Sequence, residues 1–418
     1  MAGDVPRRTD HVVIGAGQAG LVASWHLQRA GRDHVVLERR ESLGGGWQDR
    51  WDEFRLVGPA WTTSLPGVPY DGDDPDGFMR RDEVVARMAR YAGAIGAPVA
   101  LGAAVETMRP TDAGWRLETS QGPVDARAVT VATGGFHRPY VPAVGDAVPA
   151  AIHRLHSQDY RREADLPDGG VLIVGTGQTG TQLAEELMDA GREVFLCVGH
   201  AGRAPRRYRG DDIFVWMRRL VEEGPAVGVE LPTVVQLPDP AMRVAGNAQL
   251  SGHKGGHSPD LRALGRDGAH LVGRLESGDG GRCRLGGDLA QTLDQIDRFF
   301  EEGVQQLLDA FIEASGMDAP PAEPPVTADF APEPVDQLDL EDAGIGTVLW
   351  ATGYRQDLGW IDAPATDAMG FAIQDRGVSP LPGLSFLGGL WQHDMTSSTL
   401  VGIERDGRLL ADRLGLAA

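Results

Sequence analysis

The stretch HVVIGAGQAGLVASWHLQRAGRDHVVLE, residues 11–38, decides the fold of this chain. An apolar run leads directly into the turn GAGQAG, a helical stretch follows, and a second apolar run ends at Glu38. A strand, a glycine-rich turn, a helix, a strand and an acid in this order predict a dinucleotide-binding βαβ unit. Gly15 permits the tight turn, Gly17 lets the backbone approach a pyrophosphate, and Glu38 can accept hydrogen bonds from a ribose.

The pattern occurs a second time at residues 171–180, which read VLIVGTGQTG and precede a further helical stretch and strand. Gly175, Gly177 and Gly180 take the places of the three glycines of the first turn. Two complete units predict two dinucleotides, one per unit. The first unit stands close to the N-terminus and is therefore assigned to FAD.

The second unit ends without an acid, and an arginine-rich segment follows it. Residues 199–209 read GHAGRAPRRYR and hold four arginines. Clustered guanidinium groups are what a 2′-phosphate requires, so the segment predicts NADPH as the second dinucleotide. Arg206 and Arg207 are the first candidates for this contact, and Arg203 is the third. The alternative is that these arginines form a solvent-exposed charged face.

Composition limits the partners of the chain. Its 418 residues are enough for two or three domains. A net charge of −21 argues against binding to nucleic acid or to an anionic membrane surface. Cys197 and Cys283 form no CxxC motif, so no redox dithiol is expected, and a cytoplasmic location is predicted. The spacing of His253, His257 and Asp260 matches no metal-site pattern, and no metal is expected.

Further segments suggest how the chain is divided. The glycines before Trp47 are predicted to let the backbone approach the flavin pyrophosphate, and the aromatic loop containing Trp61 is predicted to line the flavin. Two Ala-Thr-Gly elements end in Gly134 and Gly353, and such elements commonly mark crossings near a bound dinucleotide. We expect the first part of an FAD domain over residues 1–150, an NADPH domain with a helical segment over 151–325, and the second FAD part over 326–418. Helical periodicity over residues 285–315 predicts one long helix for core or subunit packing.

The two fingerprints, the GGGW stretch, the segment from His156 to Tyr160 and the Ala-Thr-Gly elements resemble the flavin-containing monooxygenases. These are class B flavoprotein monooxygenases, with YUCCA-type, CzcO-type and Baeyer–Villiger relatives. The family signature F-x-G-x-x-x-H-x-x-x-Y survives here only in its second half, because Ala150 and Ile152 stand where Phe and Gly belong. The resemblance implies an α/β fold of two Rossmann-like, doubly wound domains, with the NADPH domain inserted into the FAD domain.

The resemblance also implies an activity. NADPH reduces FAD, oxygen forms a C4a-(hydro)peroxyflavin, and one oxygen atom passes to a nitrogen, sulfur or carbon of a small organic substrate. The candidate catalytic residues are His156, Tyr160 and Trp61; the first two either couple NADPH binding to domain geometry or pack a hinge. Relatives often carry an asparagine in the loop corresponding to residues 56–61, and this chain has none there. An NADPH oxidoreductase that does not oxygenate substrate and a flavin-bound redox sensor remain alternatives, and a homodimer is left open.

The candidate cofactor-binding residues come from both turns, the segments after them and the crossings. They are Gly15, Gly17, Gln18, Ala19, Gly20, Glu38, Arg39, Gly45, Gly46, Trp47, Val105, Thr133, Gly134, Gly175, Gly177, Gln178, Thr179, Gly180, Arg203, Arg206, Arg207, Thr352, Gly353 and Thr399.

Overall fold

The structure is a computed structural model and describes residues 5–244, 247–324 and 326–416. Its strands are β1 (Arg8–Ile14), β2 (His34–Leu37), β3 (Val99–Ala100), β4 (Val105–Thr111), β5 (Gly114–Thr119), β6 (Val124–Val131), β7 (Arg138–Pro139), β8 (His153–His156), β9 (Gly170–Val174), β10 (Val194–Cys197), β11 (Arg207–Tyr208), β12 (Asp211–Asp212), β13 (His270–Val272), β14 (Leu275–Asp279), β15 (Arg282–Leu285), β16 (Gln337–Asp339), β17 (Ile345–Trp350), β18 (Tyr354–Arg355) and β19 (Leu384–Phe386). Its helices are α1 (Gln18–Arg29), α2 (Arg81–Ala94), α3 (Gln178–Asp189), α4 (Ile213–Glu223), α5 (Leu261–Arg266), α6 (Leu289–Phe299), α7 (Gln305–Ser315) and α8 (Ile403–Arg413).

The first fingerprint lies at the centre of a seven-stranded sheet. The strand order is β3–β2–β1–β6–β5–β4, and β19 pairs with β6. Strand β1 runs parallel to both of its neighbours, β2 and β6. Its last four residues are buried, as expected of a strand covered on both faces. The carboxyl end of this sheet therefore carries the first glycine-rich turn.

The second fingerprint lies in a five-stranded sheet in which every pairing is parallel. The order is β13–β10–β9–β17–β8. Two parallel sheets in a mixed α/β fold confirm the predicted fold class. Strand β17 follows residue 326 in the chain but pairs with β9 and β8, so it belongs to the second sheet. The domain divisions remain proposals, and this pairing favours a second division near residue 350 rather than 326.

The two connections between the sheets run side by side. Strand β7 follows the first Ala-Thr-Gly element, and β18 follows the second. They pair antiparallel, with Tyr354 opposite Pro139. The chain therefore leaves the first sheet and returns to it at one place.

The helices agree with the sequence patterns in position and differ in detail. The predicted long helix is α6 and α7, joined by a π-helical turn at Phe300–Val304, and its apolar stripe is buried. Helix α8 begins at Ile403, with Gly402 as its N-cap. Among the helices described, none is long and apolar enough to cross a membrane.

Candidate functional site

Both glycine-rich turns open onto one cavity of about 760 Å³. The predicted cofactor residues that line it are Gly15, Gly17, Gln18, Ala19, Glu38, Arg39, Gly45, Gly46, Trp47, Val105, Thr133, Gly134, Gly175, Gly177, Gln178, Thr179, Thr352, Gly353 and Thr399. The structure thus brings together residues more than 300 positions apart in the chain. A single chamber that reaches both turns is large enough for substantial parts of two extended ligands.

The first turn combines two tightly packed glycines with one that faces open space. Gly15 has a φ of +101°, and a Cβ at Gly20 would lie 1.8 Å from the Gly15 carbonyl oxygen. A Cβ at Gly17 would meet no atom within 4 Å, and Gly17 lines the cavity. Helix α1 begins directly after Gly17, so its free N–H groups face the same space. The open space beside Gly17 at the N-terminus of α1 fits the pyrophosphate of a dinucleotide.

Glu38 fixes the shape of the first turn. One of its carboxylate oxygens accepts the Ala16 N–H at 2.8 Å, and the other accepts the Arg40 N–H at 3.0 Å. The side chain is buried and lines the cavity. Each carboxylate oxygen can accept a second hydrogen bond, so these contacts leave room for the predicted ribose contact.

The second turn repeats this construction. A Cβ at Gly180 would lie 1.9 Å from the Gly175 carbonyl oxygen, while a Cβ at Gly177 would meet nothing within 4 Å. Thr176, between them, accepts the Gly199 N–H through its hydroxyl at 2.9 Å. The buried Gln249 amide donates to the Thr176 and Ala201 carbonyl oxygens at 2.8 and 3.0 Å. The sequence did not predict these hydrogen bonds, because Gln249 lies in a segment without helical or strand periodicity.

His156 supports the second crossing from a buried position. Its Nδ1 accepts the Gln158 N–H at 3.1 Å, so Nε2 donates to the Gly353 carbonyl oxygen at 3.0 Å. Burial lowers the pKa of His156, which favours the neutral ring. Both ring nitrogens of His156 thus form hydrogen bonds within the protein. The residue does not line the cavity. A direct proton-transfer role is not favoured by this arrangement; the coupling role stays a prediction.

Tyr160 connects the segment between the sheets to the helix of the second fingerprint. Its ring is buried, and its hydroxyl donates to Glu186 on α3 at 2.8 Å. The other Glu186 oxygen is buried and has no hydrogen-bond partner. Burial raises the pKa of Glu186 to about 7, and the contact with Tyr160 only partly opposes that effect. Glu186 is therefore partly protonated near neutral pH.

The raised pKa of Glu186 predicts a pH-dependent stability. The folded chain binds this proton more tightly than the unfolded chain, so the stabilising effect is lost as the pH rises from about 5 through 7. Relative to Glu186→Gln, the wild-type protein should lose about 2 kcal/mol of unfolding free energy across that interval. Urea unfolding at several pH values measures this difference.

Tyr160→Phe is the matched control for this experiment, because it keeps the carboxyl group and should keep the pH dependence. Parallel profiles for the wild type and Glu186→Gln would contradict the prediction.

The predicted arginine cluster does not reach the cavity. Arg206 is buried, pairs with Asp212 at 2.7 Å and donates to the Val57 carbonyl oxygen at 2.6 Å. Arg203 lies 3.5 Å from Asp260 and 3.9 Å from Asp297. Arg207 is exposed on β11. None of the three lines the cavity, so the structure does not support their predicted contact with a 2′-phosphate.

Three other predicted residues also lie away from the cavity wall. Trp61 does not line it, and its ring packs against Arg218, whose guanidinium lies 4.2 Å from the ring centre. Gly20 and Gly180 lie beneath their turns, where they allow close packing of helix and strand. No group of side chains with metal-binding geometry occurs within residues 5–244, 247–324 and 326–416.

The cavity also contains residues that the motifs did not predict. They are mainly aromatic or long side chains from five separate segments: Arg50, Phe54, Phe136, Phe214, Met217, Asn247 and Tyr354. The only sequence signal for the first two was the aromatic-rich stretch after the three glycines. Phe214 and Met217 lie on α4, which closes the cavity on the side of the second unit.

Comparison with known proteins agrees with this geometry. The family model described as pyridine nucleotide-disulphide oxidoreductase matches residues 12–225. An oxidoreductase called CzcO-like from Geobacillus kaustophilus is 28% identical over 96% of this chain and 97% of its own length. The rice indole-3-pyruvate monooxygenase YUCCA1 is 30% identical over 73% of this chain and 76% of its own length.

Solved structures show the same fold. A mutant flavin monooxygenase from Stenotrophomonas maltophilia matches with a TM-score of 0.67 at 22% identity, and the match covers 98% of each chain.

Proposed function

Because this chain belongs to the pyridine nucleotide-disulphide oxidoreductase family and, within it, is a flavoprotein of the flavin-containing monooxygenase type, we propose that it is an NADPH-dependent monooxygenase. It is a flavin-dependent oxidoreductase that uses FAD and NADPH. The proposal adds that it transfers one oxygen atom from O₂ to a small organic substrate. The substrate offers a nitrogen, a sulfur or a carbon for oxygenation.

The single cavity that reaches both glycine-rich turns carries this proposal. Hydride transfer requires the reacting rings of two dinucleotides to meet, so their sites must share one chamber. Bound FAD supplies the redox and oxygen chemistry, which side chains do not provide. The chain needs no catalytic triad and no metal for this reaction.

The residues of the cavity hold the two dinucleotides, orient them and shield the place of reaction from water. Gly17 and Gly177 leave space beside the N-termini of α1 and α3, where phosphates are stabilised by free N–H groups. Glu38 keeps the first turn in shape, and the Thr176 hydroxyl ties the second turn to β10. The aromatic side chains of the wall, including Phe54 and Phe214, exclude water from the place of reaction.

The cysteines argue against thiol–disulfide chemistry in this chain. Its two cysteines, Cys197 and Cys283, are both buried. Burial raises the pKa of each thiol, whereas an attacking cysteine needs a lowered pKa and access to its substrate. The disulfide reductase activity found in the wider family is therefore not proposed here.

An oxygen-isotope experiment tests the proposal. The FAD-loaded protein is reduced by NADPH without oxygen and then mixed with ¹⁸O₂ and a thioether, a tertiary amine or a ketone. Monooxygenation predicts one ¹⁸O atom in the product. NADPH oxidation with no labelled product from any class would favour the oxidoreductase alternative, and failure of NADPH to bleach the flavin would favour the redox-sensor alternative.

Without substrate, we expect NADPH oxidation to release hydrogen peroxide at about one molecule per NADPH. The loop over residues 56–61 has no side-chain amide, and the neighbouring Thr62 hydroxyl already donates to the Pro59 carbonyl oxygen at 2.7 Å. One missing hydrogen bond to the bound cofactor would cost about 1 kcal/mol or somewhat more, which is roughly a factor of five to ten in a rate. Peroxide and NADPH are measured together, and a peroxide yield far below NADPH consumption would contradict the expectation.

A cytoplasmic location, which two cysteines without a CxxC motif favour, and a homodimer also remain proposals.

A further inference from the structure

Arg50 is a cation in the wall of the large cavity and has no role in the proposed function. Arg50 follows a short 3-10 turn at Gly45–Asp49. Its guanidinium carbon lies 4.7 Å from the ring centre of Phe136 and 5.9 Å from that of Phe54. Its Nε atom is buried and has no hydrogen-bond partner. The aromatic faces stabilise the charge only in part.

The carboxylates of the described chain do not neutralise this cation. No carboxylate of residues 5–244, 247–324 and 326–416 forms an ion pair with Arg50 within 4 Å. Its sequence neighbour Asp49 instead pairs with Arg40 at 2.6 Å. Burial lowers the pKa of Arg50, and the Asp49 charge and a hydrogen bond with Tyr354 oppose this effect. An arginine guanidinium in a protein keeps its charge.

Arg206 provides the contrast within the same molecule. Arg206 is buried, and its guanidinium carbon lies 4.4 Å from the ring centre of Phe78 and 5.5 Å from that of Phe214. Asp212 pairs with it at 2.7 Å. A structural arginine in this protein is thus given a carboxylate, because an unpaired buried charge is costly. Arg50 has the same aromatic setting without the carboxylate, and it faces a ligand cavity.

We propose that Arg50 is the anchor for an oxyanion of the organic substrate, which is therefore a carboxylate with an aromatic or apolar body. The phosphates of the two dinucleotides already have the N-termini of α1 and α3 and the two glycine-rich turns. A carboxylate matches the two-pronged donor geometry of the guanidinium. Phe54 and Phe136, which lie beside the guanidinium, also line the cavity and provide apolar contacts for the body of the same molecule. This assignment rests on the proposed function, since it names the substrate class for that cavity.

A binding experiment tests the anchor without requiring turnover. Phenylacetate and its neutral analogue phenylacetamide are titrated into the FAD-loaded protein by calorimetry. We expect phenylacetate to bind at least about tenfold more tightly than phenylacetamide. Arg50→Gln should remove this difference, and Arg50→Lys should retain part of it, because a lysine keeps the charge but not the two-pronged geometry. Equal affinity of the wild-type protein for the two probes would overturn the proposal.

Two controls separate the competing explanations. Arg207→Gln makes the same change in net charge at an exposed position outside the cavity, and it should leave both affinities unchanged. The affinity for NADP⁺ should be the same in Arg50→Gln as in the wild type. If Arg50→Gln instead lowers NADP⁺ affinity and preserves the preference for phenylacetate, Arg50 binds the dinucleotide and the proposal is wrong.

Flavin content and the circular dichroism spectrum establish whether each variant is folded and loaded. If Arg50→Gln does not fold, Arg50→Lys tests the proposal instead. Loss of the preference for phenylacetate in this variant supports an anchor that requires arginine, and a reduced preference supports an anchor that requires only the charge. An unchanged preference together with unchanged affinities overturns the proposal. Acid-selective binding without any ¹⁸O product would refute the monooxygenase proposal and leave the anchor standing. Labelled product without acid-selective binding would support the monooxygenase proposal and refute the anchor.

Discussion

Gly17→Val is expected to give a folded protein that is purified without FAD and is therefore colourless. A Cβ at Gly17 would meet no protein atom within 4 Å, so the fold tolerates the side chain. The same side chain would project into the cavity at the place where a pyrophosphate must approach the backbone. The measurement is the ratio of flavin absorbance to protein absorbance after purification.

Two other glycines provide the controls for this experiment. Gly93→Val also places a side chain in open space, but on the exposed surface of α2, and should remain yellow. Gly20→Ala would bring a Cβ to 1.8 Å from the Gly15 carbonyl oxygen and should prevent folding. If Gly17→Val retains a full complement of FAD, the first turn does not bind the flavin.

Arg206→Ala is expected to destabilise the protein strongly and to leave its choice of cofactor unchanged. Removing the guanidinium leaves the Asp212 carboxylate unpaired in a largely buried position, which costs about 3–5 kcal/mol. The KM values for NADPH and NADH should not change, because the side chain lies outside the cavity. Urea unfolding gives the first quantity, and steady-state kinetics at low temperature gives the second.

The exposed neighbour Arg207 is the matched control. Arg207→Ala should change the unfolding free energy by no more than about 0.5 kcal/mol. A selective increase in KM for NADPH in the Arg206 variant, with NADH unaffected, would restore the interpretation of this cluster as a 2′-phosphate site.

The glycine-rich turns could be predicted from the sequence because their physics is local. The tight turn, the close approach of helix to strand and the open position between them all depend on residues within one short segment. In the structure Gly15 has the positive φ of the tight turn, Gly20 allows the close approach, and Gly17 faces open space. That a pyrophosphate occupies this space stays a prediction. The resemblance to flavin-containing monooxygenases, carried mainly by these motifs, is confirmed by the comparisons.

The binding partners of the arginine cluster could not be predicted from the sequence of the cluster itself. A run of arginines has the same appearance whether its partners are phosphates or carboxylates. The partners of Arg203 and Arg209 come from other segments: Asp260 and Asp297 face Arg203, and Asp309 pairs with Arg209 at 2.9 Å. The sheet to which β17 belongs depends in the same way on pairings with distant strands. Neither arrangement has a signature at its own position in the chain.

Arg50, in contrast, belongs to no sequence motif. Its candidate role as a ligand anchor follows only from the residues that surround it in the structure. The glycines before Trp47 predict a segment close to the flavin, and no motif distinguishes the arginine that follows them. Its isolation from acids becomes visible only when Asp49 is seen to pair with Arg40.

The antiparallel pairing of β7 with β18 has a consequence for how this architecture could be exchanged between proteins. Pro139 and Tyr354 are cross-strand partners, so the chain enters and leaves the segment between them at points about 5 Å apart. Two residues of a tight hairpin can close such a gap. Everything from residue 140 to residue 353 therefore forms a cassette with adjacent ends, which recombination could replace with a cassette of different cofactor preference while the first sheet keeps its strand order.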